Sequence, residues 1–404
     1  MSNSLLTIND ITREALRLFR NSNAFMQNVD MQYDSSFAVN GAKIGTQLRI
    51  RLPNDYVVRT GAAASIQDTN EQSTTLVVAT QQGVDVSFNS VDRTMSLMDY
   101  SKRILAPMIN NLAGAVALNV MTGSEGGVAN MSVNLDAAGN ILTPVNTTFL
   151  LAGAILDTNS APRMNRRMVV EDPFTEARVV AGLAGLLNPG RKISEQYDTG
   201  QMMRALGFDW MSDQTVLKHT SGTFTAGTVN GASQTGTTVV TNAITGTLVA
   251  GDIITFASVN GVNRVTKQDT GALRQFVVTA AAANGATSLS IYPAIIPAVG
   301  GVAVQFQTTT ISPANGATIL LVGPANTTYR KNIALFPEAV TMATADLELP
   351  EGVWERSRVN FDNISMRSVT QYWGQTDQTV TRLDVLYGYL YMRPEWAVVV
   401  PDII

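Results

Sequence analysis

GDIITFASVNGVNRVTKQDTGALRQFVVTA, residues 251–280, decides how this chain is built. Val, Ile, Phe and Thr come in short runs broken by Gly and Asn, which is the pattern of strands joined by tight turns. The same character extends from about Thr215 to about Thr310, where charge is scarce and Gly/Thr/Asn turns recur. Four runs read as strands: TTVVTN (237–242), DIITFA (252–257), QFVVTA (275–280) and TSLSIYP (287–293). Their spacing predicts a small barrel or sandwich of about six strands. Its density of β-branched and aromatic residues sets it apart from a disordered linker.

Helical sequence lies upstream. NDITREALRLFRNSNAF (9–25) places Ile11, Ala15, Leu18 and Phe19 at helical spacing, with Thr7 and Asp10 in capping-box register. Its apolar stripe is either core or a docking face for a partner. After the Gly41 to Gly45 turn, Leu48, Ile50 and Leu52 alternate with Gln47, Arg49 and Arg51, a half-buried strand with one basic face. The small, polar residues from Arg59 onward, then strand signals from Thr74 and in GVDVSF (83–88), predict a long, projecting, mobile hairpin.

From Asp92 to Gly123 the period becomes helical, with Met98, Leu105, Ile109, Leu112 and Val116 on one face. Pro107 predicts a kink or a break there. A helix at 147–162, a strand at 166–173 and a helix at 173–190 ending at Asn188-Pro189-Gly190 follow. Past Ala317 mixed character resumes in ILLVGP, RKNIALFPEAVTMATADLELP, ISMRSVTQYW and RLDVLYGYLYMRPEWAVVV. The β-rich stretch is therefore expected as an insertion within an α+β domain.

The 404 residues are more than one simple core usually holds, so several domains, or one with insertions, are expected. Charged residues make up 15%, against roughly 25% in typical soluble proteins, so much of the surface is neutral. Such a surface suits a chain covered by copies of itself, and equally a secreted adhesin or tail protein. With no cysteine there are no disulfides, thiolate nucleophiles or Cys-based zinc sites. The N-terminal sequence lacks the pattern of a secretory signal, and no apolar run reaches the about 18 residues of a membrane span. These features predict a soluble cytoplasmic protein. A net charge of −4 and no basic run longer than RMNRR (163–167) argue against a dedicated nucleic-acid binder.

Chemistry finds little support. One histidine, His219, excludes HExxH and His-rich metal sites, and its position at the edge of the β-rich stretch suggests an incidental role. There is no phosphate-binding loop, dinucleotide fingerprint, nucleophile elbow or EF-hand loop. The carboxylate pairs Glu171-Asp172 and Asp346/Glu348 fit a solvated turn and a helix N-terminus better than a glycosidase pair. Tyr387, Tyr389 and Tyr391 recur with period 2 ahead of Trp396, a strand face rather than a sugar platform. No catalytic residue, cofactor or metal is expected.

Three stretches carry a resemblance: 251–280, LFPEAVTMATADLELPEG (335–352) and SVTQYWGQTDQTVTRLDVLYGYLYMRPEWAVVV (368–400). In that order and spacing they resemble the major capsid (coat) proteins of short-tailed double-stranded DNA phages, typified by the Salmonella podophage coat. The resemblance covers nearly the whole chain. It implies an α+β subunit of the Hong Kong 97 type with an inserted small β-barrel domain. The implied arm is 1–40, the extended loop and adjoining strands 41–94, and the spine helix with peripheral domain 95–147, the helix itself at 95–122. The axial domain falls at 148–214 and, with return strands, 311–404, interrupted by the insertion at 215–310.

In such coats the inserted domain assists folding and can contact neighbours through charged loop residues. Here these are Asp252, Arg264, Lys267, Asp269 and Arg274. With Ile11, Leu18 and Phe19 of the N-terminal stripe and Arg49, Arg51 and Arg59 of the loop, they are the expected subunit interface. The implied assembly is a homo-oligomer of pentamers and hexamers in an icosahedral shell that encloses DNA without sequence-specific binding. Scaffolding and portal proteins are the implied partners, with a decoration protein an optional one; no membrane is. Assembly in the host cytoplasm and residence in the virion follow. An encapsulin-like compartment and a tail adhesin are the alternatives; the long helix at 95–122 argues against the adhesin.

Overall fold

The computed structural model describes residues 8–21, 23–31, 47–59, 61–62, 64, 66–69, 71–89, 106–163, 167–182, 199–361 and 363–404. The chain divides into two units, one of residues 1–50, 73–120 and 340–390, the other of 51–72, 121–339 and 391–404.

In the first unit, α1 (Ile8–Asn21) buries Thr12, Ala15, Leu16 and Phe19, the i, i+3, i+4, i+7 stripe of an amphipathic helix. It packs on β16 (Glu355–Phe361) and β17 (Ile364–Trp373). Asn23, whose side chain accepts from the Met26 N–H at 3.1 Å, starts a second helix, α2 (Ala24–Asn28). The single helix expected over 9–25 is therefore two. Thr7 lies outside the described residues, as do the Gly41 to Gly45 turn, Met98, Leu105 and Asn188-Pro189-Gly190.

β1 (Gln47–Arg51) pairs with β2 (Ser73–Val77), and Leu48, Ile50, Leu76 and Val78 pack with Ala343, Ala345, Leu386 and Leu390. The main sheet runs β15 (Val340–Ala345), β18 (Gln378–Tyr391), β17, β16, with β3 (Thr80–Asn89) also paired to β18. α3 (Ala106–Thr122) buries Ile109, Leu112, Ala113, Val116 and Val120. Pro107 stands second among the residues described for this helix; the residues before Ala106 lie outside the described ones, and with them the kink or break expected at Pro107.

The second unit is built on a sheet in the order β4 (Asn130–Met131), β19 (Ala397–Ile403), β14 (Thr328–Leu335), β5 (Met168–Glu171), β7 (Phe208–Ser212), β6 (Arg204–Ala205), with β8 (Lys218–Thr220) also on β14. β14, β5 and β19 are buried nearly throughout, as strands sandwiched in a sheet must be. A one-turn helix, α4 (Ser124–Gly127), precedes β4. The longer α5 (Asn146–Thr158) covers β14 and β19, and α6 (Pro173–Gly182) follows β5.

The β-rich stretch, joined by the Ile319–Leu321 run of ILLVGP beyond the end expected for it, forms an antiparallel sheet in the order β13 (Ile319–Leu321), β10 (Ile253–Val262), β11 (Asp269–Val278), β12 (Ser288–Ile295), β9 (Gly236–Val240). It has its own core, in which Phe256 and Phe276 meet edge to face at 5.3 Å among Ile254, Leu289, Ile291 and Ile319. The chain enters and leaves it side by side. Thr220 pairs with Thr328, the Ser221 N–H donates to the Thr327 carbonyl at 3.0 Å, and the Asn326 N–H to that of Gly222 at 2.9 Å.

Two glycines let backbones cross beside this neck. A Cβ on Gly222 would lie 2.1 Å from the Thr247 carbonyl oxygen, and one on Gly246, at φ +87°, 2.1 Å from that of Thr223. Gly236 has a similar φ of +90° but open space around it. Gly246→Ala is therefore expected to cost about 3 kcal/mol and Gly236→Ala about 1 kcal/mol. Urea unfolding of the two variants compares clash plus strain with strain alone; equal midpoints would remove the crossing from the account.

Candidate functional site

The charges of the β-rich stretch look mainly inward. Lys267, with a side chain 5% exposed, pairs with Asp55, which also accepts from the Phe306 N–H at 3.1 Å. Gln305 donates to the Asp68 carbonyl at 3.1 Å, and Gln67 and Val57 bond each other reciprocally. The segment between β1 and β2 is thus tied down rather than projecting free, because its carboxylate and carbonyls meet donors from the β-rich stretch. Arg264 pairs with Glu395 at 2.6 Å. Together with Arg274, Tyr292 and Asp55 these two groups line a cavity of about 280 Å³. Burial pulls the Arg274 guanidinium below its usual range, and its Nε has no hydrogen-bond partner. Of the five charged residues expected at the interface from this stretch, Asp269 alone is exposed, accepting from Asn260 at 3.0 Å and the Gly271 N–H at 2.7 Å, bonds that hold its carboxyl below the usual range.

Asp252 is an interior residue, not a loop contact. It is 1% exposed and accepts from the Gly222 and Val249 N–H groups at 3.1 and 2.8 Å. His219, 3% exposed, bridges it at 3.0 Å to Glu125 at 3.1 Å, and the buried Lys331 completes the cluster. Burial pulls the imidazole down, yet the hydrogen bonds the protonated ring donates to Asp252 and Glu125 outweigh it and raise His219 above its ordinary value. The His219 bond in turn holds Glu125 below the carboxylate range. Burial pushes Lys331 down to about 8. His219 is therefore a joint between β8, α4 and the start of β10, not an incidental surface group. Glu125 and Lys331 carried no sequence signal, since the cluster is assembled from four separate segments.

Glu171 and Asp172 divide in the structure. Asp172 caps α6 through the Phe174 N–H at 2.9 Å and holds Arg330 at 3.0 Å, as a helix N-terminus implies. Glu171 is fully buried and neither carboxyl oxygen has a hydrogen-bond partner, so the solvated-turn expectation fails for it. Burial, with Glu176, Asp402 and Asp172 nearby, pushes its pKa up to about 9. Asp346 binds Ser365 and Arg358. Tyr387 is buried in β18, its hydroxyl accepting from Asn119 at 2.6 Å, so the tyrosines line a strand as expected.

Of the N-terminal stripe, Phe19 is fully buried within its own unit and Leu18 half-buried; the side chain of Ile11 lies outside the described residues. Phe19 is thus a core residue. The exposed Arg49 donates to Ser73 at 2.9 Å, Arg51 faces Glu71 at 3.2 Å with both exposed, and Arg59 bonds the Gly61 carbonyl. Of the 163–167 basic run, Arg163 and Arg167 both bind Asp157 and offer little to phosphate. Among the described residues no helix is long and apolar enough to cross a membrane, and no cluster of His, Cys, Asp and Glu could hold a metal.

The architecture is mixed α+β with strands predominating. Residues 13–400 match the family model described as P22 coat protein, gene protein 5. No curated protein matches the chain. Among solved structures it is similar to that of Mycobacterium phage Che8, at 9% identity over 94% of this chain and 90% of that one with a TM-score of 0.46. The mature capsid of bacteriophage PhiM1 matches at 9% identity over 94% and 86%, and the capsid of Ralstonia phage GP4 at 9% over 93% and 86%, each with a TM-score of 0.44. With nearly its whole length inside one family model, the chain belongs to the P22 coat protein family and is a phage major capsid protein, a structural component of the virion shell.

Proposed function

We propose that this coat protein assembles in the host cytoplasm through a scaffold-assisted procapsid into an icosahedral shell of pentamers and hexamers, and that it has no catalytic role. The carrying observation is the family match over residues 13–400. The internal pairing of the charges supports it: Lys267, Arg264, Asp252 and Asp402 each pair within the subunit's own structure. A mildly acidic chain suits a container filled with DNA, because strong phosphate binding would stall packing. In this reading 1–40 is the arm, 41–94 the extended loop with adjoining strands and 215–310 the inserted domain, while 95–147 is peripheral and 148–214 with 311–404 axial. Arg49, Arg51, Arg59 and Asp269, exposed as they are, remain the proposed subunit contacts.

Negative-stain microscopy of the chain expressed with and without the neighbouring reading frames tests the proposal. Uniform closed shells with a scaffold frame, and irregular ones without it, are expected. Monomers, trimers or rods under both conditions would overturn it in favour of an adhesin.

A further inference from the structure

A guanidinium taken out of water without an acceptor is strongly unfavourable, and Arg274 is in that state. Its stem passes Gly261, where a Cβ would lie 3.5 Å from Arg274 Cδ. Its Nε is shut off from solvent and unbonded, and no hydrogen bond or ion pair among the described residues reaches the rest of the group. The adjacent Gln275 cannot supply the missing acceptor. Its amide accepts from the Met131 N–H at 2.7 Å and donates to the Met131 carbonyl at 3.0 Å, so both ends are engaged on β4.

The cavity of about 280 Å³ beside Arg274 is lined by three guanidinium groups, those of Arg264, Arg274 and Arg393, against two carboxylates, Asp55 and Glu395. Both carboxylates already have cations. Asp55 holds Lys267 and accepts from the Phe306 N–H at 3.1 Å, and Glu395 holds Arg264 at 2.6 Å. Arg393 lies over the Trp396 ring, 4.3 Å from its centroid, while Glu395 and Glu338 act on it only at longer range. Tyr292 lines the same cavity, and burial pushes its phenol up, so its hydroxyl remains a donor. The wall therefore offers more positive charge and more donors than its own acceptors use. Guanidinium forks match the oxygens of a tetrahedral oxyanion, and the unpartnered Gln307 Oε1 in the same wall suits one that still carries a proton, as phosphate does. At about 30 Å³ per water, the space admits such an ion with several waters.

We propose that this cavity binds inorganic phosphate, held by Arg274 and Arg393 with the Tyr292 hydroxyl, and that its occupation stabilises the folded subunit. The site belongs to the single chain and does not depend on assembly. A ligand that binds only the folded state raises its stability with concentration.

The test uses the full-length subunit before assembly, in buffer free of phosphate. Inorganic phosphate is expected to raise its urea midpoint in a saturable way, sodium chloride at matched ionic strength is not, and titration calorimetry should show one site per chain. Arg274→Met fills similar space without charge. It is expected to be more stable than the parent in the absence of phosphate and to bind phosphate at least about tenfold more weakly. Arg17→Gln, at the surface, should keep the parent's response. Should Arg274→Met fail to fold, Tyr292→Phe, which removes only the hydroxyl, is expected to weaken phosphate binding several-fold. A parent midpoint that moves no more with phosphate than with chloride overturns the proposal, as does a folded Arg274→Met chain that responds like the parent. The rival occupant is an acidic side chain of a neighbouring copy. It would leave the isolated subunit indifferent to phosphate, and that result also overturns the proposal.

Discussion

Glu171→Met is expected to stabilise the subunit by about 3 kcal/mol at pH 7, although it removes a charged residue type from a protein with few. With its pKa pushed up to about 9, Glu171 is protonated in the folded subunit at neutral pH, whereas the unfolded chain holds it ionised. Folding at pH 7 must therefore take up a proton against the solution. A raised folded pKa means that stability is fully present below about 4.5 and lost as pH rises through about 9. Methionine fills similar space and does not titrate, so the variant's advantage should vanish near pH 4 and grow from pH 7 to 8.5. Urea midpoints of both proteins at these three values test it. A difference that does not change with pH would show that Glu171 is solvated or partnered.

The loss expected from Asp252→Ala is of similar size and opposite sign, about 4 kcal/mol, because truncating one member leaves His219 and Lys331 buried without that carboxylate. It also strips the Gly222 and Val249 N–H groups of their acceptor. The readouts are the yield of soluble subunit and its urea midpoint. Asp269→Ala, at the surface, should leave both unchanged. The pH dependence has a defined sign on each side. The raised His219 pKa makes its contribution fade as pH rises through that value, and the lowered Glu125 pKa makes its contribution fade as pH falls through its own. An Asp252→Ala subunit as stable as the parent would mean that the cluster is not a joint.

The strands around 251–280 were legible because a turn-punctuated β pattern is local, and β10, β11 and β12 fall on the runs DIITFA, QFVVTA and TSLSIYP. The N-terminal stripe was legible as periodicity, but not that it breaks into two helices at Asn23, a cap whose effect depends on a few local bonds. Asp252 could not be told from Asp269 by sequence, since both sit among Gly and Thr at strand ends. Only the fold brings His219 and Glu125 to the first and leaves the second in water. Likewise Glu171 and Asp172 differ by one residue, and the alternation of a strand end turns one into the core and the other onto the helix it caps.

The paired neck at Thr220 and Thr328 has a consequence for how such a chain changes over time. Roughly a hundred residues lie between two points already joined by hydrogen bonds, and with the ends fixed a length change adds only slowly to the entropy of closing a loop. The flanking strands β8 and β14 keep their pairing whatever is threaded between them. Insertions, deletions or a wholesale exchange of the intervening polypeptide leave that doorway unmoved, so this stretch can diverge or acquire new surfaces while the sheet beneath it stays answerable to the shell.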